Sequence, residues 1–186
     1  MAFLAAFTGL RISELLGLKW ADIDFRGSKI DVRRAVVYGV VGKCKSKASK
    51  RSVALDQVLA DVLLRWRLKT PYSKADDWVF ASTKLSGVKP LNPGVLRRWH
   101  LKPAAKTAGV MGQIGWHTFR RSLASFLIAD GVDVKTVQES LRHSTSKLTL
   151  DLYAQSTSPT KLAAQRQLIE AIVPKNQVPT ASTAVN

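Results

Sequence analysis

The chain has 186 residues, 46% of them hydrophobic, which suits one domain with a real core. Its 29 Lys and Arg against 13 Asp and Glu give a formal charge of +16. That balance points to a polyanion, nucleic acid ahead of a membrane surface, because each neutralised phosphate releases counterions. A single cysteine, Cys44, excludes an internal disulfide and a CxxC metal site and fits a reducing cytoplasm. No apolar run approaches the roughly 18–20 residues of a membrane span, and no basic residue precedes the apolar start as in a signal peptide.

In chain order, residues 2–18 read as one helix that enters on a strong apolar stripe without an N-cap signal, so residues that ordinarily precede it are expected to be missing. The stretch 29–55, "KIDVRRAVVYGVVGKCKSKASKRSVAL", alternates β-branched and basic residues and predicts two or three strands joined by a Gly/Lys-rich turn. Residues 56–69 have helical period, with Asp56 as N-cap and Thr70-Pro71 ending them. "DDWVFAS", 76–82, predicts a short strand. Residues 91–109 predict a helix capped by Asn92, with Pro93 in the first turn and a kink at Pro103. From Trp116 the chain is helical. Phe119, Leu123, Phe126 and Leu127 form an apolar back, and His117, Arg120, Arg121 and Ala124 share the opposite face. Arg120 is thereby directed away from the core, and Gly131 ends the helix. A second helix, 133–144, is capped by Asp133. A third spans 146–155 and a fourth 158–173. Residues 174–186 lack apolar periodicity and are expected to form a disordered tail.

The chemistry on offer is narrow. The three histidines form no metal site, there is no HExxH, and acids are too few for a two-metal nuclease. No Gly-rich loop precedes Lys-Ser/Thr. What remains is a set of basic groups and hydroxyl nucleophiles. Phosphoryl transfer without a metal needs arginine forks for the non-bridging oxygens, a lysine or histidine to protonate the leaving oxygen, and an activated nucleophile. A free tyrosine, with a pKa of about 10, needs its environment for that. Taken alone, Tyr153 in "LTLDLYAQ" is an aromatic on a short helix, and Arg11 with Glu14, three apart, is a surface ion pair.

In combination these residues carry a resemblance. "TGLRISELLGLKWADIDF" resembles the first motif of the tyrosine recombinase (phage integrase) family, "KCKSKASKRSVAL" its lysine hairpin, and "HTFRRSLASFLIADGVDVKTVQESLRHSTSKLTLDLYAQ" its His-x-x-Arg helix, Leu-Gly-His segment and tyrosine. The resemblance covers about residues 1–172. It implies catalytic roles for Arg11, Lys45, His117, Arg120, His143 and Tyr153, with Lys47 and Lys43 as rivals for Lys45. Lys43, Lys47, Lys50, Arg97, Arg98 and Arg121 are the expected DNA-binding positions. There are two departures. Arg142 stands where the family usually has glycine, crowding the turn into His143, and Arg121 stands where histidine is common.

The implied fold is α+β and mainly helical, a tyrosine-recombinase catalytic domain over 1–173 with a small antiparallel β-sheet near the N-terminal half. The implied function is site-specific DNA strand cleavage and rejoining through a 3′-phosphotyrosyl intermediate, with no metal, ATP or other cofactor. The implied partners are double-stranded DNA and further copies of the chain in a tetrameric synapse, in a cytoplasmic, nucleoid-associated setting. Family members carry a separate helical domain ahead of this one, so the chain is expected to be the catalytic half of a longer protein or the product of a truncated gene. Two other readings share the residues. A type IB topoisomerase uses the same chemistry, but the integrase-like spacing and short length argue against it. An inactive DNA-binding remnant is the second, and the intact set of six residues argues against decay.

Overall fold

The structure, a computed structural model, describes residues 1–43 and 52–142. The expected helices at 146–155 and 158–173, the tail, and Lys45, Lys47, Lys50, His143 and Tyr153 lie outside the described residues.

The opening run is two helices, not one. Helix α1 (Ala2–Thr8) stops where Gly9 turns left-handed, at φ 61°. Thr8 Oγ1 donates back to Leu4 O at 2.6 Å and accepts from Leu10 N–H, which closes the turn with a side chain. Arg11 is extended and caps α2 (Ile12–Leu16). The break follows from Gly9, whose Cβ, if it had one, would lie 2.7 Å from Leu141 Cδ2.

Among the described residues, five short strands follow. β1 (Ile23–Asp24), β2 (Lys29–Ile30) and β5 (Val53–Ala54) form one antiparallel sheet in the order β1-β2-β5, with Ile23 opposite Ile30 and Ile30 opposite Val53. β3 (Arg34–Val37) and β4 (Val40–Lys43) form a separate hairpin. Its two-residue turn, Tyr38-Gly39, has positive φ at both positions, the geometry that matches strand twist in a tight hairpin. Helix α3 (Gln57–Lys69) starts as expected, with the Asp56 side chain accepting from Val58 N–H. The expected strand at 76–82 is not a strand: it makes only single bridges, Lys19 to Trp78 and Ala81 to Pro90, and the turn at Val79-Phe80 between them breaks any ladder.

The helix expected at 91–109 is α4 (Pro93–Leu96), a π turn (Arg97–Leu101) and α5 (Lys102–Thr107), capped by Asn92. The disturbance lies ahead of Pro103, not at it. Pro103 has no N–H and its ring crowds the carbonyl of Trp99, four residues back, so the ladder slips to wider spacing and Lys102 N–H reaches Arg97 O. Helices α6 (Trp116–Ala129) and α7 (Val134–Leu141) complete the described chain, α7 capped by Asp133 accepting from Lys135 and Thr136 N–H.

The main core joins α1, α2, the first sheet, α3 and the stretch around Val79, centred on Leu15, Leu18, Ile30, Val32 and Val79. A smaller cluster of Ala124, Ile128, Val137 and Leu141 joins α6 to α7. The molecule is thus mainly helical with small antiparallel sheets. Among the described residues no helix is long and apolar enough to cross a membrane.

Candidate active site

Arg11 lies at the start of α2, and Glu14 in the first turn reaches back to it. Glu14 Oε2 accepts from Arg11 N–H at 2.8 Å, and Glu14 Oε1 accepts from Arg11 Nη1 at 3.1 Å. The pair forms but not at the surface: Glu14 is 2% exposed, inside the apolar run of α2. A carboxylate placed there must be paired to stay charged. Its second partner comes from the far end of the described chain, where Arg142 Nη2 donates to Glu14 Oε2 at 2.7 Å.

Arg142 is itself only 3% exposed and has left-handed backbone, φ 53° and ψ 45°, as the C-cap of α7. That conformation costs a non-glycine residue about 1–2 kcal/mol. Crowding of this turn was expected from the sequence, whereas its side chain's reach to Glu14 was not. Two signals pointed to the pair: a glutamate buried in the apolar run "ISELL", and an arginine where the resemblance has glycine.

Arg120 lies one turn into α6, and here too the structure departs from expectation. The buried stripe of α6 is Arg120, Ala124 and Ile128, with Phe119, Leu123 and Leu127 beside it, while Phe126 is 69% exposed. Arg120 therefore points inward, at 7% exposure, because two helix ends offer it carbonyls. Nη1 donates to Gly9 O, after α1, and Nη2 donates to Leu141 O, the last residue of α7. Each Nη carries a second hydrogen and Nε a third, so the fork keeps donors for an anion. Burial, then the positive charge of Arg11, push the Arg120 pKa down to about 9; Glu14 opposes the shift and Arg142 adds to it. The group remains charged at neutral pH, short of solvent and beside other cations, and an incoming anion would relieve both.

The remaining expected residues divide by position. His117, the second residue of α6, is exposed one turn before Arg120, and Arg121 is exposed beside it. Lys43 ends β4, opposite Arg34. Arg97 is half-buried, with Nε donating to Ile114 O at 3.1 Å. Arg98 is exposed and its guanidinium lies 5.5 Å from the Trp99 ring centre. A cleft of about 440 Å³ is lined by Phe7, Thr8, Ser52, Leu123, Glu139 and Arg142 among others. Ser52, the first described residue after the lysine-rich stretch, lines the same cleft as the end of α7.

The described side chains thus bring together Arg11, Arg120 and Arg142 around one carboxylate. Three guanidiniums against one Glu leave positive charge in a mostly buried setting, suited to binding a phosphoryl group bidentately.

The chain is similar to known proteins in sequence and in fold. The sequence profile of the Phage integrase family matches residues 1–159. The ICEBs1 integrase of Bacillus subtilis (strain 168) is 29% identical over 164 residues, covering 80% of this chain and 42% of that protein. A tyrosine recombinase of Thermosipho africanus (strain TCF52B) is 32% identical over 163 residues, covering 87% and 50%. Among solved structures, the Tn1549 transposon integrase in complex with circular intermediate DNA superposes with a TM-score of 0.72 at 22% identity, over 90% of this chain and 58% of that one. The chain spans about half the length of the relatives it matches.

Proposed function

The chain belongs to the phage integrase family, and on that footing we propose that it is the catalytic domain of a site-specific DNA recombinase acting on double-stranded DNA. The observation that carries this is the convergence of Arg11 and Arg120, from α2 and α6, beside a buried carboxylate that cannot neutralise both. A phosphodiester supplies the missing negative charge.

Arg11 and Arg120 hold the non-bridging oxygens of the scissile phosphate. The Tyr153 oxygen attacks phosphorus as its proton passes to His117. The bond to the 5′ oxygen breaks, and that oxygen takes a proton from Lys45. His143 donates a hydrogen bond to the phosphate as charge grows there. The products are a 3′-phosphotyrosyl link and a free 5′ hydroxyl. A 5′ hydroxyl from another strand reverses the chemistry and completes exchange, so the bond energy is conserved and no ATP is required. Lys43, Lys47, Lys50, Arg98 and Arg121 hold the DNA backbone, and Arg97 does so through whatever donors its bond to Ile114 leaves. Copies of the chain assemble on paired sites as a tetrameric synapse, in the cytoplasm where the nucleoid lies.

The test is covalent capture on a pool of nicked duplexes of randomised sequence, resolved on denaturing gels, which also reads out the preferred site. The protein is expected to form an adduct whose peptide contains Tyr153. Tyr153→Phe removes one oxygen and is expected to keep fold and DNA binding while losing the adduct entirely. An adduct that survives Tyr153→Phe, or that maps to Tyr38 or Tyr72, overturns the assignment.

A further inference from the structure

We propose that Arg142 is a positioning residue for strand cleavage, its buried guanidinium holding Glu14 against Arg11 and adding a third positive charge to the pocket that receives the scissile phosphate. This rests on the recombinase reading above and deepens it.

Several observations converge on this residue. Arg142 is almost fully buried, and its Nη2 lies 2.7 Å from the same Glu14 oxygen that accepts from Arg11 N–H. Glu14 therefore has one end fixed by Arg142 while the other meets Arg11 Nη1. The backbone of Arg142 forms the left-handed turn that directly follows Leu141, whose carbonyl anchors Arg120. One residue thus touches the supports of both phosphate-binding arginines. It does so from a backbone conformation that favours glycine, with a side chain that is expensive to bury. A residue chosen only to close α7 needs neither feature.

Charge explains what the guanidinium adds. Among the described side chains the cluster is three arginines and one glutamate, two positive charges in excess. A phosphodiester brings one negative charge, and the pentavalent transition state brings close to two. Binding is thereby matched better to the transition state than to the bound DNA, which is the condition for raising a rate instead of an affinity. Without Arg142 the cluster would balance the ground state, and Glu14 would be held only by its two bonds to Arg11.

Arg142→Gly is the informative variant, because glycine keeps the left-handed turn and so the Leu141 carbonyl, while deleting the guanidinium. On a nicked duplex captured from the randomised pool, the first-order rate of adduct formation is expected to fall about tenfold or more, with the dissociation constant for the same DNA changed by less than about threefold. Arg142→Lys, which keeps the charge, is expected to recover part of the rate. Should Arg142→Gly fail to fold by circular dichroism, Arg142→Gln decides. It can still donate to Glu14 but carries no charge, and it is expected to cleave as slowly as the glycine variant. A wild-type rate in folded Arg142→Gly or in Arg142→Gln overturns the inference while Tyr153-dependent cleavage stands. Equal losses in rate and DNA affinity overturn it too. If the wild-type protein forms no adduct on any duplex, the recombinase reading falls and this inference falls with it.

Discussion

Gly9 and Arg142 share left-handed backbone and answer to opposite demands. At Gly9 the turn leaves no room, since an added Cβ would meet Leu141 and come within 3.2 Å of Leu123. At Arg142 the same conformation carries a long charged side chain into the interior. Gly9→Ala is therefore expected to lose about 1–2 kcal/mol from the backbone alone, with a further loss from the contact, read as a lower urea midpoint. Because the Gly9 carbonyl holds Arg120 Nη1, the same variant is expected to slow adduct formation. Unchanged stability would mean that α1 can end without this turn.

At the scale of elements, starts were legible and stops less so. Asp56, Asn92 and Asp133 each accept from backbone N–H groups at the helix starts expected of them, because an N-cap is a local signal. The break after Thr8 was not legible. Apolar residues continue on both sides of Gly9, and what holds the turn open is packing against Leu141 and the demand of Arg120, 111 positions away. The inward turn of Arg120 was hidden for the same reason: hydrophobic periodicity reports where apolar side chains point and is silent on carbonyls offered by other helices. Pro103 did announce a disturbance, but its clash acts four residues back, so the π turn lies upstream. Pro103→Ala restores an N–H and should let residues 97–101 relax to α-helix. The amide of the new alanine is then expected to be protected from hydrogen exchange by Trp99 O, and Arg97 to lose its bond to Ile114. A rapidly exchanging amide there would show that the π turn has another cause.

For the molecule as a whole, the excess of cationic side chains sets how, under the proposed function, it would meet DNA before any site is read. Affinity for duplex DNA is expected to fall with salt, the log–log slope being about −0.9 for each phosphate neutralised. A flat salt response, measured by fluorescence anisotropy, would remove the electrostatic basis for binding. The anchoring of Arg120 also bears on how the protein is made. Its two carbonyl partners lie 111 residues before it and 21 after it, and Glu14 receives its second arginine from 128 positions downstream. Translation delivers Arg11 and Glu14 well before the groups that complete their pocket. A nascent chain, or one cut short by a premature stop ahead of Leu141, carries cationic surface but lacks the carbonyl that anchors Arg120 Nη2 and the second partner of Glu14. Under the proposed function such a fragment is expected to hold DNA without breaking a strand.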